Sequence, residues 1–448
     1  RTIAVAYFAL EHNETFGNGV FVRNLPKIPY KELLHARSVR QFVDILRMAA
    51  KQSGWPKGFL TVHRVNWLYR VARKGKQLLI VMRHYVGSLL LVQRRLVGKA
   101  RKISNVGKIQ PLLEKIQDVN VGDESRVGFN KRHAMSRIRK GDALEFNRLI
   151  PDIGHGSGGH MTILRFAKHF QSLGVVNRVF VMDRSSHADD RALKQFIEES
   201  ITPLEGVEVH VRSKDMPKSD VLISTFWLTG YENFKRDNTN FKVYFIQDYE
   251  PYFYAMSSNW LLAETTYRMG YYGVAASKWL YGKIKSYNMD GCYFDLGFDP
   301  TIYYPDPLIE RDPNKLLVYA RPLTERRGTE LLVACLAMIK ELRPQTKISI
   351  FGADSFGYMD VPFEAEYLGL LNEDQLRRHH SEATVTLLTS LTNYSLIPIE
   401  AMACGAVVID VDVESTRATF ADDAPIILAE PMPYDMAKRV VATLNDVD

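Results

Sequence analysis

Residues 384–410, TVTLLTSLTNYSLIPIEAMACGAVVID, hold the alternation that decides the fold. Thr384–Thr389 is a strand-type run, Asn393–Pro398 reads as a turn, and Val407–Asp410 is a second strand-type run. Between them Pro398 suits the first helical position, where a missing N–H costs nothing, and Glu400 falls in the first turn, where the helix dipole favours a carboxylate. A strand, a helix and a strand in close succession imply a mostly parallel sheet covered by helices.

The same texture extends to both sides. Upstream, Phe146–Ile150, Arg178–Met182, Val207–Val211, Val221–Thr225, Lys242–Ile246 and Gly273–Ala276 form one series of short β-rich runs. Leu316–Tyr319 and Lys347–Phe351 join the two runs above in a second series, with Glu330–Leu342 helical between strands. The expected architecture is α/β, with two Rossmann-like doubly wound domains over 145–300 and 301–430, facing each other across a cleft. Ligands in such sheets bind outside the carboxyl ends of the strands.

The 448 residues are 46% hydrophobic and 24% charged, ordinary values for a globular chain, which excludes a disordered or fibrous protein. Cys292, Cys335 and Cys404 are widely spaced and form no CxxC pair, so a reducing compartment fits better than a disulfide framework. Residues 31–140 carry 25 Lys plus Arg against 6 Asp plus Glu, although the whole chain is only +7. Residues 1–144 therefore read as a basic, mainly helical extension, with 103–142 as a linker or arm. Its expected partner is an anionic surface: a membrane, or nucleic acid, which is disfavoured because no groove-binding motif is present. The most apolar stretch, Leu78–Val92, is broken by Arg83 and His84, so no bilayer crossing is expected. Cytoplasmic residence, with peripheral attachment to the inner membrane face, follows from these readings. A start at Arg1 suggests a piece of a longer protein.

Chemistry-bearing residues gather at the strand ends. The loop Gly154-His-Gly-Ser-Gly-Gly-His160 leads into a helix, and its glycines let the backbone N–H groups approach phosphate or other negative charge. Gly158, Gly159 and His160 are the candidate donor-side residues there. Lacking GxGxxG spacing and a P-loop lysine, the loop argues against dinucleotide binding and ATP hydrolysis. Arg321 and Arg327 follow a strand of the second series and can clamp a diphosphate, whereas plain surface salt bridging is the alternative. Glu400 can accept hydrogen bonds from a ribose diol, with Tyr394, Ser395 and Leu396 lining the turn before it. Asp248, Tyr249 and Glu250 follow an apolar strand and are the acceptor-side candidates; either acid can orient an acceptor hydroxyl or take its proton. Trp227, Tyr252 and Tyr254 are candidates for stacking on sugar rings. His155, His160, His379 and His380 do not make a metal set, and the last two are expected on an exposed helix. Asp410-Val-Asp412 mimics a metal-binding DxD, but reads as incidental acids at a strand end.

Gly297-Phe-Asp299 with Tyr304-Pro305, Tyr319-Ala-Arg321 with Arg327-Gly328, Tyr367-Leu-Gly369 with Glu373 and Leu376, and Pro398-Ile-Glu400-Ala-Met-Ala-Cys-Gly405 stand in the order of four motifs of GT-B glycosyltransferases. Over 145–448 the chain resembles glycosyltransferase family 4, and 158-GGHMTILRF-166 with 246-IQDYEPYFY-254 resembles the bacterial WsaF-type rhamnosyltransferases. The resemblance implies a retaining transfer from a dTDP- or UDP-linked sugar, dTDP-L-rhamnose first, without a metal or other cofactor. Asp248, Arg321, Arg327 and Glu400 are then the catalytic set. It also implies a glycan acceptor, on a lipid carrier or in O-antigen synthesis, other glycan-assembly enzymes as partners, and a final helix over 431–448 that returns toward the first domain. Two departures stand out: Thr392 occupies the position of the family's first acid, eight before Glu400, and Arg327 replaces the usual Lys. A nucleotide-sugar 2-epimerase of the same fold and a noncatalytic basic binding protein are the rival readings.

Overall fold

The structure, a computed structural model, describes residues 109–131, 143–182, 185–322, 324–357, 359, 361–420 and 423–446. Expectations for 1–108 and 132–142, including most of the basic segment, lie outside the described residues. Gln110–Asp448 forms one compact unit.

Seven parallel strands make the first sheet: β1 (Glu145–Ile150), β2 (Val176–Val181), β3 (Glu208–His210), β4 (Ser219–Ser224), β5 (Thr239–Ile246), β6 (Tyr272–Ala276) and β7 (Gly291–Phe294), in the order β3-β2-β1-β4-β5-β6-β7. The second has six, β8 (Asp312–Tyr319), β9 (Lys347–Phe351), β10 (Glu366–Gly369), β11 (Ala383–Leu387), β12 (Val407–Val411) and β13 (Ile426–Ala429), in the order β10-β9-β8-β11-β12-β13. Both orders reverse beside the first strand, between β1 and β4 and between β8 and β11. A crevice opens at such a reversal, because the connections on its two sides leave toward opposite faces.

The apolar runs fill both faces of each sheet, as buried parallel strands require. In the first domain Ile150, Val179, Val181 and Val243 meet Ile163, Leu164 and Ala167 of the helix Gly158–Ser172. In the second, Leu316, Val318, Ile350, Val385 and Ile409 meet Leu332, Leu336 and Ile339 of the helix Thr329–Leu342.

Two expectations are corrected here. The last helix, Pro433–Asn445, does not return to the first domain: Met436, Ala437, Val440 and Leu444 complete the second domain's own core against Leu332 and Leu336. Its apolar stripe matches the nearest uncovered sheet face, so no crossing of the cleft is needed. Part of the expected linker is also regular structure. The helices Ile109–Ile116 and Glu124–Lys131 set Leu112, Ile116 and Val127 against the aromatic core of the first domain, where Asn130 Nδ2 donates to the Met269 carbonyl (2.8 Å).

Removing a buried side chain from the last helix tests this placement. Met436→Ala is expected to cost about 2–5 kcal/mol in denaturant unfolding through lost burial and a cavity. A helix lying loosely on the surface predicts a change within about 0.5 kcal/mol.

Candidate functional site

The carboxyl edges of the two sheets meet through named side chains. After β1, Ser157 caps the helix Gly158–Ser172: its Oγ accepts from the His160 N–H (3.4 Å) and lies 2.7 Å from His160 Nδ1. His160 Nε2 lies 3.2 Å from the Pro151 carbonyl, which can only accept, so the proton sits on Nε2 and Ser157 donates to Nδ1. Burial lowers the His160 pKa, in keeping with a neutral ring that braces the loop from inside. Gly158 and Gly159 form the exposed first turn, and Gln247 Nε2 donates to the Gly159 carbonyl (3.1 Å). The closest approach is at Gly156, which the sequence reading passed over. Its φ is +68°, and a Cβ there would stand 3.0 Å from Leu370 and 3.1 Å from Arg321 Nη2. Arg321 donates to the Gly156 carbonyl from the second domain.

Tyr319, at the end of β8, gathers both predicted arginines. Arg321 Nε donates to its hydroxyl (3.3 Å), and the Arg327 guanidinium lies 5.7 Å from its ring centre. Gly328 then turns with φ +52°, close against Leu391 and Thr389, and Thr389 Oγ1 donates to the Arg327 carbonyl. The loops after β8 and β11 thus pack on each other at the strand-order reversal. Around them Thr329 Oγ1 and Ser395 Oγ are buried without a protein partner, while the Ser390 side chain lies against the Asp410 carboxylate. Buried polar atoms are seldom left so, and a group bringing both donors and acceptors would satisfy them.

Asp248 crosses to the second domain. Its Oδ1 accepts from the N–H groups of Tyr249 (2.9 Å) and Asn393 (3.1 Å), its Oδ2 accepts from Thr392 Oγ1 (2.8 Å), and Arg326 Nε lies 3.3 Å from Oδ2. Arg326 in turn lies 4.2 Å over the Phe253 ring. Sequence reasoning missed Arg326 because Arg327 beside it fitted the motif; the RR pair was its visible signal.

The other acceptor-side candidates face inward. Tyr249 is buried and its hydroxyl meets that of Tyr287. Glu250 is buried and accepts from the Trp227 N–H (2.6 Å); burial pushes its pKa up to about 8, against the pull of that hydrogen bond. Trp227 is likewise buried and donates from Nε1 to the Tyr254 hydroxyl (3.0 Å), which leaves Tyr252 as the exposed ring of the group.

In the turn before the Glu400 helix, Tyr394 points into the protein and its hydroxyl accepts from the Leu296 N–H (2.9 Å). Ser395 and Leu396 are partly exposed. Glu400 is only 4% exposed, and burial raises its pKa to about 7; Arg165 opposes the shift, Glu373 reinforces it and the Tyr303 hydroxyl opposes it. Arg165 and Glu373 pair across the domains (2.9 Å).

Two histidine and acid expectations are settled by burial. His380 is 0% exposed, with Nδ1 3.2 Å from Thr386 Oγ1, and is not on an exposed face; His379 is half-buried. Asp410 is buried and accepts from the N–H groups of Ser390 and Val411 (both 2.8 Å), while Asp412 pairs with Arg417 (2.5 Å), so the two acids serve different neighbours. No cluster of three or more His, Cys, Asp or Glu suited to a metal occurs among the described residues.

Glu400 yields a pH test. The folded chain keeps its proton up to about 7, whereas the unfolded chain loses it near 4.5, so this contribution to stability is lost as pH rises between those values. Glu400→Gln is therefore expected to gain on the wild type in Tm between pH 4.5 and 7.5. A pH-independent difference would contradict a buried, proton-holding Glu400.

Comparison with known proteins agrees with this geometry. A family model described as WsaF, N-terminal domain, matches residues 145–277, and one described as WsaF, C-terminal domain, matches 314–441. The O-antigen biosynthesis protein RfbC of Myxococcus xanthus is 30% identical over 320 residues, which are 68% of this chain and 25% of that protein. The chain thus spans about a quarter of the length of that curated relative. Sucrose-phosphate synthase of Thermosynechococcus elongatus has a TM-score of 0.52 at 15% identity, over 68% of this chain and 90% of its own. Anabaena HepE, in complex with UDP and glucose, has a TM-score of 0.52 at 14% identity, with the same two coverages. The two family models fall in order on the two sheets and together take in more than half of the residues, and the chain belongs to the WsaF-type glycosyltransferases, with the GT-B fold.

Proposed function

We propose that the chain transfers L-rhamnose from dTDP-L-rhamnose to a hydroxyl of a bacterial surface glycan, with retention at the anomeric carbon and without a metal. The observation that carries the donor site is the pairing of Arg321 and Arg327 on Tyr319, with the unpartnered hydroxyls of Thr329 and Ser395 in the segments after β8 and β11. The nucleotide is supported by the UDP in the HepE structure, and the polysaccharide by the printed role of the M. xanthus relative. Rhamnose and dTDP rest on the 158–166 and 246–254 segments.

In this reading the bond from the anomeric carbon to the β-phosphate oxygen breaks while the acceptor oxygen bonds to that carbon. The electron pair stays on the nucleoside diphosphate and the acceptor's proton leaves to it. Two guanidinium groups fixed in advance neutralise the growing charge with no reorganisation at the moment of reaction. The first helical turn at Gly158–Gly159 presents N–H groups to the same charge, and Glu400 serves the pentose hydroxyl. Asp248, with both oxygens engaged, acts by orienting groups rather than by removing a proton. Residues 31–140 dock the enzyme on the anionic inner membrane face, where a glycan on a lipid carrier is presented.

Arg321→Ala and Arg327→Ala are each expected to weaken dTDP binding in calorimetry about tenfold or more, since a charge-assisted hydrogen bond is worth roughly 1.5–3 kcal/mol. Transfer is expected to survive EDTA. Unchanged affinity in both variants removes the donor site, and a strict divalent requirement returns attention to Asp410 and Asp412.

Liposome co-sedimentation tests the docking surface separately. Binding is expected to rise with anionic lipid, fall with salt, and vanish on charge reversal of Arg94, Arg95, Lys99, Arg101 and Lys102. Equal binding to neutral vesicles argues against it.

A further inference from the structure

Asn393 belongs to the second domain, but its side chain is used on the first. Its Nδ2 donates to the carbonyls of Gln247 (2.9 Å) and Ala276 (2.8 Å), at the carboxyl ends of β5 and β6. Its Oδ1 accepts from Ser277 Oγ (3.0 Å), and its backbone N–H is the one that reaches Asp248. The residue is 1% exposed. A buried amide with its donors and acceptor all engaged has one seat, because any displacement leaves polar groups unpaired out of reach of water.

Ser277 shows that the seat is fixed from both sides. It has φ 148° and ψ 159°, a region that residues other than glycine seldom enter, and its Oγ also accepts from the Leu280 N–H (3.1 Å). Such a conformation persists where the surroundings over-determine it. On the other flank Thr392 is held through its hydroxyl by Asp248 and through its carbonyl by Ser415 Oγ. The turn 389–396, which carries Ser390 and Ser395, is therefore referenced to the first sheet at Asn393.

We propose that Asn393 is a positioning residue for sugar transfer: seated on Gln247, Ala276 and Ser277, it sets the register between the donor-side turn and the first domain, and so brings Asp248 against Thr392 and Arg326. This rests on the cleft being the transfer site. The two guanidinium groups that carry most of the diphosphate binding, Arg321 and Arg327, lie outside the turn 389–396, so loss of the Asn393 seat falls more on turnover than on nucleotide affinity, to which the turn's hydroxyls and the Gly158–Gly159 N–H groups contribute the smaller part.

The test compares Asn393→Ala, Asn393→Asp and Ser277→Ala in the full chain, with dTDP and UDP as calorimetric probes and dTDP release from dTDP-L-rhamnose as the rate. For Asn393→Ala, kcat is expected to fall about ten- to a hundredfold, the scale of a misplacement near 1 Å, while nucleotide Kd stays within about twofold. Asn393→Asp, which sets a carboxylate against two carbonyls and Asp248, is expected to fall at least as far. Ser277→Ala, which removes the hydroxyl that donates to Asn393 and caps the Leu280 N–H, is expected to show the same split more weakly and to decide the matter if the Asn393 variants do not fold. A Kd that rises in step with falling kcat makes Asn393 part of the donor pocket and overturns the inference, as does normal turnover in the folded variants. Failure of the unaltered chain to bind either nucleotide or to release dTDP overturns the functional reading and this inference together, whereas normal wild-type turnover with unaltered variants overturns this inference alone.

Discussion

The Asp248 carboxylate is a point at which the two sheets are joined. It rises from the end of β5, yet Thr392, Asn393 and Arg326 all reach it from the other domain. Burying an ion pair costs desolvation that its attraction repays only when the remaining lone pairs are also met, and here each carboxylate oxygen has two partners. Breaking such an arrangement is far costlier than its net worth, because a charge is then stranded. It therefore contributes less to stability than to uniqueness: one relative placement of the domains satisfies it and neighbouring ones do not. Arg165 with Glu373 and Lys283 with Glu414 (2.8 Å) tie the domains at more exposed positions, where ion pairs are worth about 0–1 kcal/mol. These guide the approach without fixing it.

Two residues further on, Glu250 has the opposite fate. Asp248 meets a guanidinium, whereas Glu250 is enclosed by Trp227, Tyr244 and Tyr267 and is met by the Trp227 N–H and the Tyr244 hydroxyl, neither of them charged. Burial outweighs those hydrogen bonds, so its carboxyl is largely protonated at neutral pH. The tight 3₁₀ turn Glu250–Phe253 is what separates them, directing one acid across the cleft and the other into the tyrosine-rich core, while Phe253 supports Arg326. Similar side chains in one short segment thus divide into an interdomain anchor and a structural prop.

Much of this was legible in the sequence, for physical reasons that also mark the limit. Central strands such as β1, β5, β8 and β11 are buried on both faces and read as apolar runs, so the two series followed directly, with Arg321 and Arg327 after the end of β8. The strands that escaped, β7, β10 and β13, are edges of four residues each with several partly exposed positions, and Gly291-Cys-Tyr-Phe294 has no apolar period to detect. The last helix was placed on the first domain by the family resemblance, whereas its own apolar stripe, Met436, Ala437, Val440 and Leu444, tells that a face is buried but not against which sheet. At the site, residues that contribute charge or backbone approach were visible, namely Arg321, Arg327, Asp248 and the glycine loop. Asn393 and Ser277 were not, since a small polar residue in a turn has the same appearance whether it faces water or another domain.

Unmet polar atoms fall differently in the two domains. Some, such as Asn130 Oδ1, Asn147 Oδ1 and Arg148 Nη2, are dispersed through the first domain. Those of Thr329 and Ser395 instead belong to the segments that follow β8 and β11, on either side of the strand-order reversal. Each costs about 1–3 kcal/mol when left unpaired. Ala at 395 would remove its share of that cost, and these hydroxyls lie in the segments that follow the same strand ends as Arg321 and Arg327, which gather on Tyr319. The carboxyl edge of the second sheet therefore combines cationic groups with unmet hydroxyl donors, a chemistry that favours an anion able to accept from both.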